Sequence, residues 1–226
     1  MFTGHDTMIL SIEPNCKYPI FVSLSKDNIA RVWDYDKVDA VALFSECQAS
    51  CFDNTGEVLA CVHNPKDLPK KMDVKHVYLY NVKEEGYDKP FSVLQAELDR
   101  NIHINTIKFS YDGKQVLLSD EHCGIYIMDA FEGGIITCTK LRTLDEPDER
   151  IMADFTPNSN YVLASYSNKV MLWNWNTDKM TYYPQIHVKD VRGLKFSTEH
   201  LFFASACQNL VLWCPDLDQL IHSDDN

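Results

Sequence analysis

Long apolar runs are missing from this 226-residue chain. No stretch approaches the roughly 20 apolar residues that cross a bilayer as a helix. The N-terminus carries no charged region followed by an apolar one, so the sequence predicts a soluble chain that is not secreted and works in the cytoplasm or nucleus. Helical periodicity is absent as well. Basic charge is scarce: 21 Lys and Arg stand against 33 Asp and Glu, a formal net charge of −12. Such a surface repels phosphate backbones and speaks against direct nucleic-acid binding, and it favours basic or locally basic partners. The eight cysteines are Cys16, Cys47, Cys51, Cys61, Cys123, Cys138, Cys207 and Cys214, and no two form a Cys-x2-Cys pair. The nearest two, Cys47 and Cys51, share an apolar stretch. All eight are therefore expected to be buried free thiols of an intracellular protein, with no metal site and no cofactor. The eight histidines form no His-Glu-x-x-His pair. No Gly-x-Ser-x-Gly elbow marks a hydrolase nucleophile.

What is present is a four-part signature in the first thirty-four residues: Gly4-His5, then Ser23, Asp27 and Trp33-Asp34. A buried indole N–H needs an acceptor, a hydroxyl both donates and accepts, and a carboxylate and an imidazole complete the chain. His5, Ser23, Asp27 and Trp33 are therefore expected to form a structural relay tying an inner strand, a tight turn and a third strand together. The Trp six residues after the Asp favours that relay over a catalytic triad. This combination is a WD repeat, one four-stranded propeller blade of roughly 40 to 45 residues.

The pattern recurs. An apolar strand, a polar turn, a second strand closing on a small residue and a third ending in an aromatic or large apolar residue appear five times. The Trp position is filled by Trp33, Tyr80, Met128, Trp173 and Trp213, at intervals of 47, 48, 45 and 40 residues. The predicted repeats run over 4–36, 40–82, 91–130, 135–176 and 180–214, giving an all-β propeller over 1–218 and a polar tail over 219–226. Asp53–Gly56, Ser110–Gly113 and Thr156–Ser159 read as hairpin turns, with Gly or Asn accepting positive φ. Five blades raise a question of closure, since many propellers complete the last blade with an N-terminal strand. Only Met1–Thr3 precede Gly4-His5, so the last blade is expected to be one strand short and the ring open, with exposed strand edges that recruit partners.

Three segments carry a more specific resemblance: Thr106–Lys114, Met128–Gly134, and Phe203–Asp218 with its Ala-Ser-Ala-Cys-Gln-Asn run before Trp213 and Pro215. The chain resembles the WD-repeat subunit of Set1-type (COMPASS) histone methyltransferase assemblies, along essentially its whole length. That family has seven blades, of which this chain looks like the C-terminal five. The resemblance implies a nuclear, non-catalytic adaptor of a histone H3 lysine 4 methyltransferase complex, connecting it to transcribing RNA polymerase II through the Ser-phosphorylated C-terminal domain. It equally permits a targeting subunit of a protein phosphatase 1 complex or of an mRNA 3′-end processing complex.

One departure from the family is an enlarged loop over His63–His76, the one place where this acidic chain turns basic. Lys66, Lys70, Lys71 and Lys75 are candidate contacts for phosphoserines, each carrying about −1.5 to −2 charges, against the plainer reading of a solvated loop. Arg31 is expected to pair locally across its strand rather than anchor a partner. Trp175 and Tyr182-Tyr183 form a candidate aromatic patch or fill space between blades. The acidic run Asp145–Arg150 is a candidate for holding a basic segment, with a solvated loop as the default.

Overall fold

A computed structural model describes residues 2–63, 74–83, 86–99, 101–141, 151–197, 200 and 202–214. All of its regular secondary structure is β-strand, in antiparallel sheets that follow one another along the chain. The chain divides into two compact units, Met1–Ile151 and Met152–Asn226.

The first unit holds three four-stranded sheets. The first contains β1 (Ile9–Pro14), β2 (Ile20–Ser25), β3 (Ala30–Asp34) and β4 (Ala42–Phe44). The second contains β5 (Cys47–Phe52), β6 (Val58–His63), β7 (Lys75–Asn81) and β8 (Ser92–Ala96). The third contains β9 (Ile104–Phe109), β10 (Gln115–Asp120), β11 (Gly124–Asp129) and β12 (Ile135–Lys140). The second unit holds a four-stranded sheet of β13 (Ala153–Phe155), β14 (Tyr161–Tyr166), β15 (Lys169–Asn174) and β16 (Lys179–Tyr182). Its other sheet has three described strands, β17 (Gly193–Phe196), β18 (Phe203–Ala206) and β19 (Leu210–Trp213).

Each sheet is a simple meander, and its burial follows strand position. Strands such as β6 and β10 are packed on both faces, with apolar stretches at Val58–Val62 and Val116–Leu118, whereas β12 alternates half-buried and exposed residues, as a strand with one solvated face must. Apolar side chains fill the space between sheets within each unit. Ile20, Val22, Val32 and Phe44 meet Leu59, Tyr80 and Val82 in one cluster. Val62, Val77 and Leu94 meet Ile107, Val116 and Leu118 in another. In the second unit Leu163 and Val170 meet Leu194 and Phe203.

The sheets are offset from the repeats read from the sequence. The strand β8 opens the repeat predicted at 91–130 yet pairs with β7, and β12 opens the repeat at 135–176 yet pairs with β11. The same holds for β4 and β16, which pair with β3 and β15. Sequence repeats and sheets are thus out of phase by one strand, each repeat after the first handing its first strand to the sheet before it. This threading is invisible in spacing because the fourth strands carry the weakest pattern.

The predicted hairpins join β5 to β6, β9 to β10 and β13 to β14. Gly56 and Gly113 adopt the expected left-handed conformation, at φ of 74° and 72°. In the third hairpin Ser159, not Asn158, has positive φ (58°), at the position that Gly56 and Gly113 hold in the other two, and the Asn158 side chain accepts from the Thr156 hydroxyl at 2.7 Å.

Candidate functional site

The signature residues sit where ladder register brings them together. Trp33 on β3 lies opposite Phe21, and Ser23 lies two residues further along β2, on the same face. The indole Nε1–H donates to Ser23 Oγ at 2.8 Å. His5 Nε2 lies 2.6 Å from the same oxygen, and Arg31 Nη1 donates to His5 Nδ1 at 2.6 Å. An Nδ1 that accepts leaves the neutral ring protonated at Nε2, so His5 donates to Ser23. Burial, reinforced by the Arg31 charge, holds the His5 ring below its ordinary pKa. Ser23 and Trp33 are 2% and 3% exposed. A hydroxyl this enclosed and already accepting two donors is spent on structure.

Asp27 departs from the expected relay. It hydrogen-bonds neither His5 nor Ser23; its carboxylate accepts from the Ser25 hydroxyl and from the Ile29 amide at 3.3 Å, clamping the turn that Asn28 makes at φ of 60°. The Ser25 bond, ahead of the other causes, holds the Asp27 carboxyl below its usual range. Arg31 takes the place at the end of the relay.

A second relay, not singled out in the sequence, lies in the fifth blade. Trp213 is opposite Phe203, and Ser205 stands two residues on. Trp213 Nε1–H donates to Ser205 Oγ at 2.7 Å, and His187 Nε2 lies 2.6 Å from it. His187 precedes Ser205 by the same 18 residues that separate His5 from Ser23. That interval was the available signal, obscured because Ile186 stands where the first repeat has glycine. Here Nδ1 faces the Cys207 thiol at 3.2 Å in place of an arginine.

The same register position explains the other blades. In the fourth, Trp173 is opposite Val162 and the position two residues on is Ala164, so the indole turns to Asp178 Oδ1 at 2.9 Å. In the third, Met128 and Leu118 occupy the two places, and neither has a polar group to satisfy. Its turn is held instead by Asp120, which accepts from the Gly124 amide and the Tyr126 hydroxyl at 2.7 Å each. In the second, Tyr80 fills the Trp position and Cys61 the serine position.

The family model described as "WD domain, G-beta repeat" matches residues 1–34, the segment that holds the first relay. That segment is a WD repeat, and the all-β sheet arrangement is that of a WD-repeat fold. Among relatives, this WD-repeat chain is 27% identical to WD repeat-containing protein 82 of Drosophila melanogaster, over 96% of its own length and 67% of the relative's. It is 24% identical to COMPASS component SWD2 of Saccharomyces cerevisiae, over 95% of its own length and 67% of the relative's. It is 27% identical to Set1 complex component swd2 of Schizosaccharomyces pombe, over 74% of its own length and 47% of the relative's. The WD-repeat chain thus spans about two thirds or less of these relatives.

The remaining sequence candidates separate. Lys66, Lys70 and Lys71 lie outside the described residues, as does the whole of the acidic run Asp145–Arg150. Lys75 does not belong with them: it is 0% exposed on β7, with Nζ 3.3 Å from Gln48 Oε1. The strand resumes there, so Lys75 is a core residue and the basic-loop reading is corrected to exclude it. Tyr182 is 62% exposed, whereas Tyr183 packs edge-on against Phe203 at 5.1 Å. Trp175 donates to the Ser159 carbonyl at 2.9 Å. The expectation of eight buried thiols is also corrected: Cys16, Cys138 and Cys214 are exposed and Cys207 is half-buried. Spacing missed this because alternate residues of a half-solvated strand such as β12 face water. A pocket of about 160 Å³ lined by Tyr18, Asp34, Lys37, Val82, Lys83 and Tyr87 is smaller than the roughly 300–1,000 Å³ of typical small-molecule sites.

Proposed function

We propose that this WD-repeat chain is a non-catalytic scaffold subunit of a Set1-type histone H3 lysine 4 methyltransferase assembly in the nucleus. The observation that carries the reading is similarity over 95% of the chain to a relative named as a COMPASS component, joined by a second relative named as a Set1 complex component. The relay chemistry agrees with a scaffold, since its serine hydroxyls are enclosed and consumed by indole and imidazole donors. An acidic surface suits basic protein partners.

Within that assembly the chain connects the methyltransferase to transcribing RNA polymerase II by meeting phosphoserines of its C-terminal domain. An acidic propeller needs a local basic patch for this, and Lys66, Lys70 and Lys71 are the residues that supply one.

Affinity purification of the tagged chain from nuclear extract, followed by mass spectrometry, tests the reading. Recovery of a Set-domain methyltransferase with its core subunits is the expected result. Recovery of phosphatase 1 or 3′-end processing subunits without the methyltransferase would replace it.

A further inference from the structure

The second blade departs from the relay chemistry of the first and fifth. Its serine position is Cys61, and His63 lies two residues on, on the same face of β6. Cys47 stands directly opposite His63 on β5, and a bulge between Cys47 and Ala49 sets the local register. Bulges of this kind re-aim side chains. The Gln48 side chain within it is held by Lys75 Nζ and by the Ile104 amide at 3.2 Å. The ligating atoms of Cys47, Cys61 and His63 all lie within 4.8 Å of one another.

From this juxtaposition we propose that Cys47, Cys61 and His63 form a binding site for a borderline-soft divalent metal of the zinc class.

Three observations select that ligand. The donors are two sulfurs and an imidazole, which suit zinc and not the oxygen-seeking magnesium or calcium. Two thiolates and a neutral imidazole around a divalent cation sum to zero charge, the condition for placing an ion among apolar side chains such as Val32, Phe44 and Leu59. And His63 Nε2 is a buried nitrogen with no hydrogen-bond partner, an arrangement that is costly unless something occupies it.

The Ser45 backbone lies beside the His63 ring, in a position to supply the outer contact that orients a metal-ligating histidine. Bond lengths of about 2.3 Å to sulfur and 2.0–2.1 Å to nitrogen require the donors to close in from their present separation of up to 4.8 Å. Binding forms two metal–sulfur bonds and one metal–nitrogen bond in exchange for metal-bound waters, one of which stays as the fourth ligand, while the two thiols release their protons to solvent.

The experiment uses the full chain, stripped with a chelator and then titrated with zinc in competition with a chromophoric chelator. Cobalt(II) serves as a spectroscopic probe of thiolate ligation. The expected result is one metal per chain, two protons released, and a thiolate-to-cobalt charge-transfer band. Cys61→Ser and His63→Gln should each weaken binding at least about tenfold, since losing a ligand costs more than losing an outer-shell partner. Cys138→Ser, an exposed cysteine of the same unit, should bind as wild type. Absence of the charge-transfer band in the wild-type chain, or binding unchanged in His63→Gln, overturns the site. Should a variant melt early, the wild-type band and proton count decide.

Discussion

Ser205 accepts the indole N–H of Trp213 at 2.7 Å, repeating in the fifth blade the bond that Trp33 makes to Ser23 at 2.8 Å in the first. In both, the serine stands two residues beyond the strand partner of the tryptophan, so one register rule builds the same buried contact twice.

Removing either hydroxyl leaves an indole N–H and an imidazole Nε2 without a partner inside the sheet. Ser23→Ala and Ser205→Ala are each expected to destabilise by about 1–3 kcal/mol, measured by urea unfolding. Adding Trp213→Phe to Ser205→Ala removes the stranded donor, and the double variant should lose less than the sum of the single changes.

His5 links stability to pH. Its folded pKa is depressed below the ordinary 6.5 by burial first and Arg31 second, so the unfolded chain binds the proton more readily. The contribution is fully present above about 6.5 and is lost as pH falls from there through the folded value. His76 is lowered by burial, with the same sign. The urea midpoint should therefore drop between about pH 7.5 and about pH 5.5, and less steeply in His5→Gln. An equal drop in both proteins would remove His5 from the account.

Gly124 is required by contact rather than by backbone conformation. A Cβ there would stand 2.5 Å from the Tyr126 hydroxyl and 2.6 Å from Asp120 Oδ2. Gly124→Ala should break the Asp120–Tyr126 bond and cost about 1–3 kcal/mol. The Tyr126 phenol is now held well above its ordinary pKa by burial and by Asp120; in the variant its ultraviolet titration should move down.

Thiol labelling should divide the cysteines by exposure. Cys16, Cys138 and Cys214 are open to solvent and should react in the folded chain. Burial pushes the Cys51 thiol up to about 12 and Cys61 well above its ordinary value, so both should label only after unfolding. Peptide mapping of a short alkylation reads the two groups directly.

The basic loop must be tested without Lys75. Joint reversal of Lys66, Lys70 and Lys71 to Glu is expected to abolish binding of a serine-phosphorylated peptide while leaving the melt unchanged. Lys75→Glu, which places a carboxylate beside Gln48 in the core, should instead lower stability by about 3 kcal/mol or more. Intact peptide binding in the triple variant would retire the phosphoserine contact.

The sequence alone determined that this chain is all-β, that it repeats five times, and that Trp33, Tyr80, Met128, Trp173 and Trp213 hold equivalent places. Those features are local: alternation, turn residues and spacing are properties of neighbours along the chain. Only the tertiary structure decided which groups meet across strands. Asp27 left the relay because the Ser25 hydroxyl and the Ile29 amide of its own turn lie closer. His187 entered it across 18 residues of chain. Lys75 went into the core because β7 resumes at that residue. Cys47, Cys61 and His63 converged through a bulge that shifts register by one residue. A hydrogen bond or a ligand set depends on atoms within about 3 to 5 Å, and which atoms come that close is fixed by register and packing, quantities that no single stretch of sequence contains.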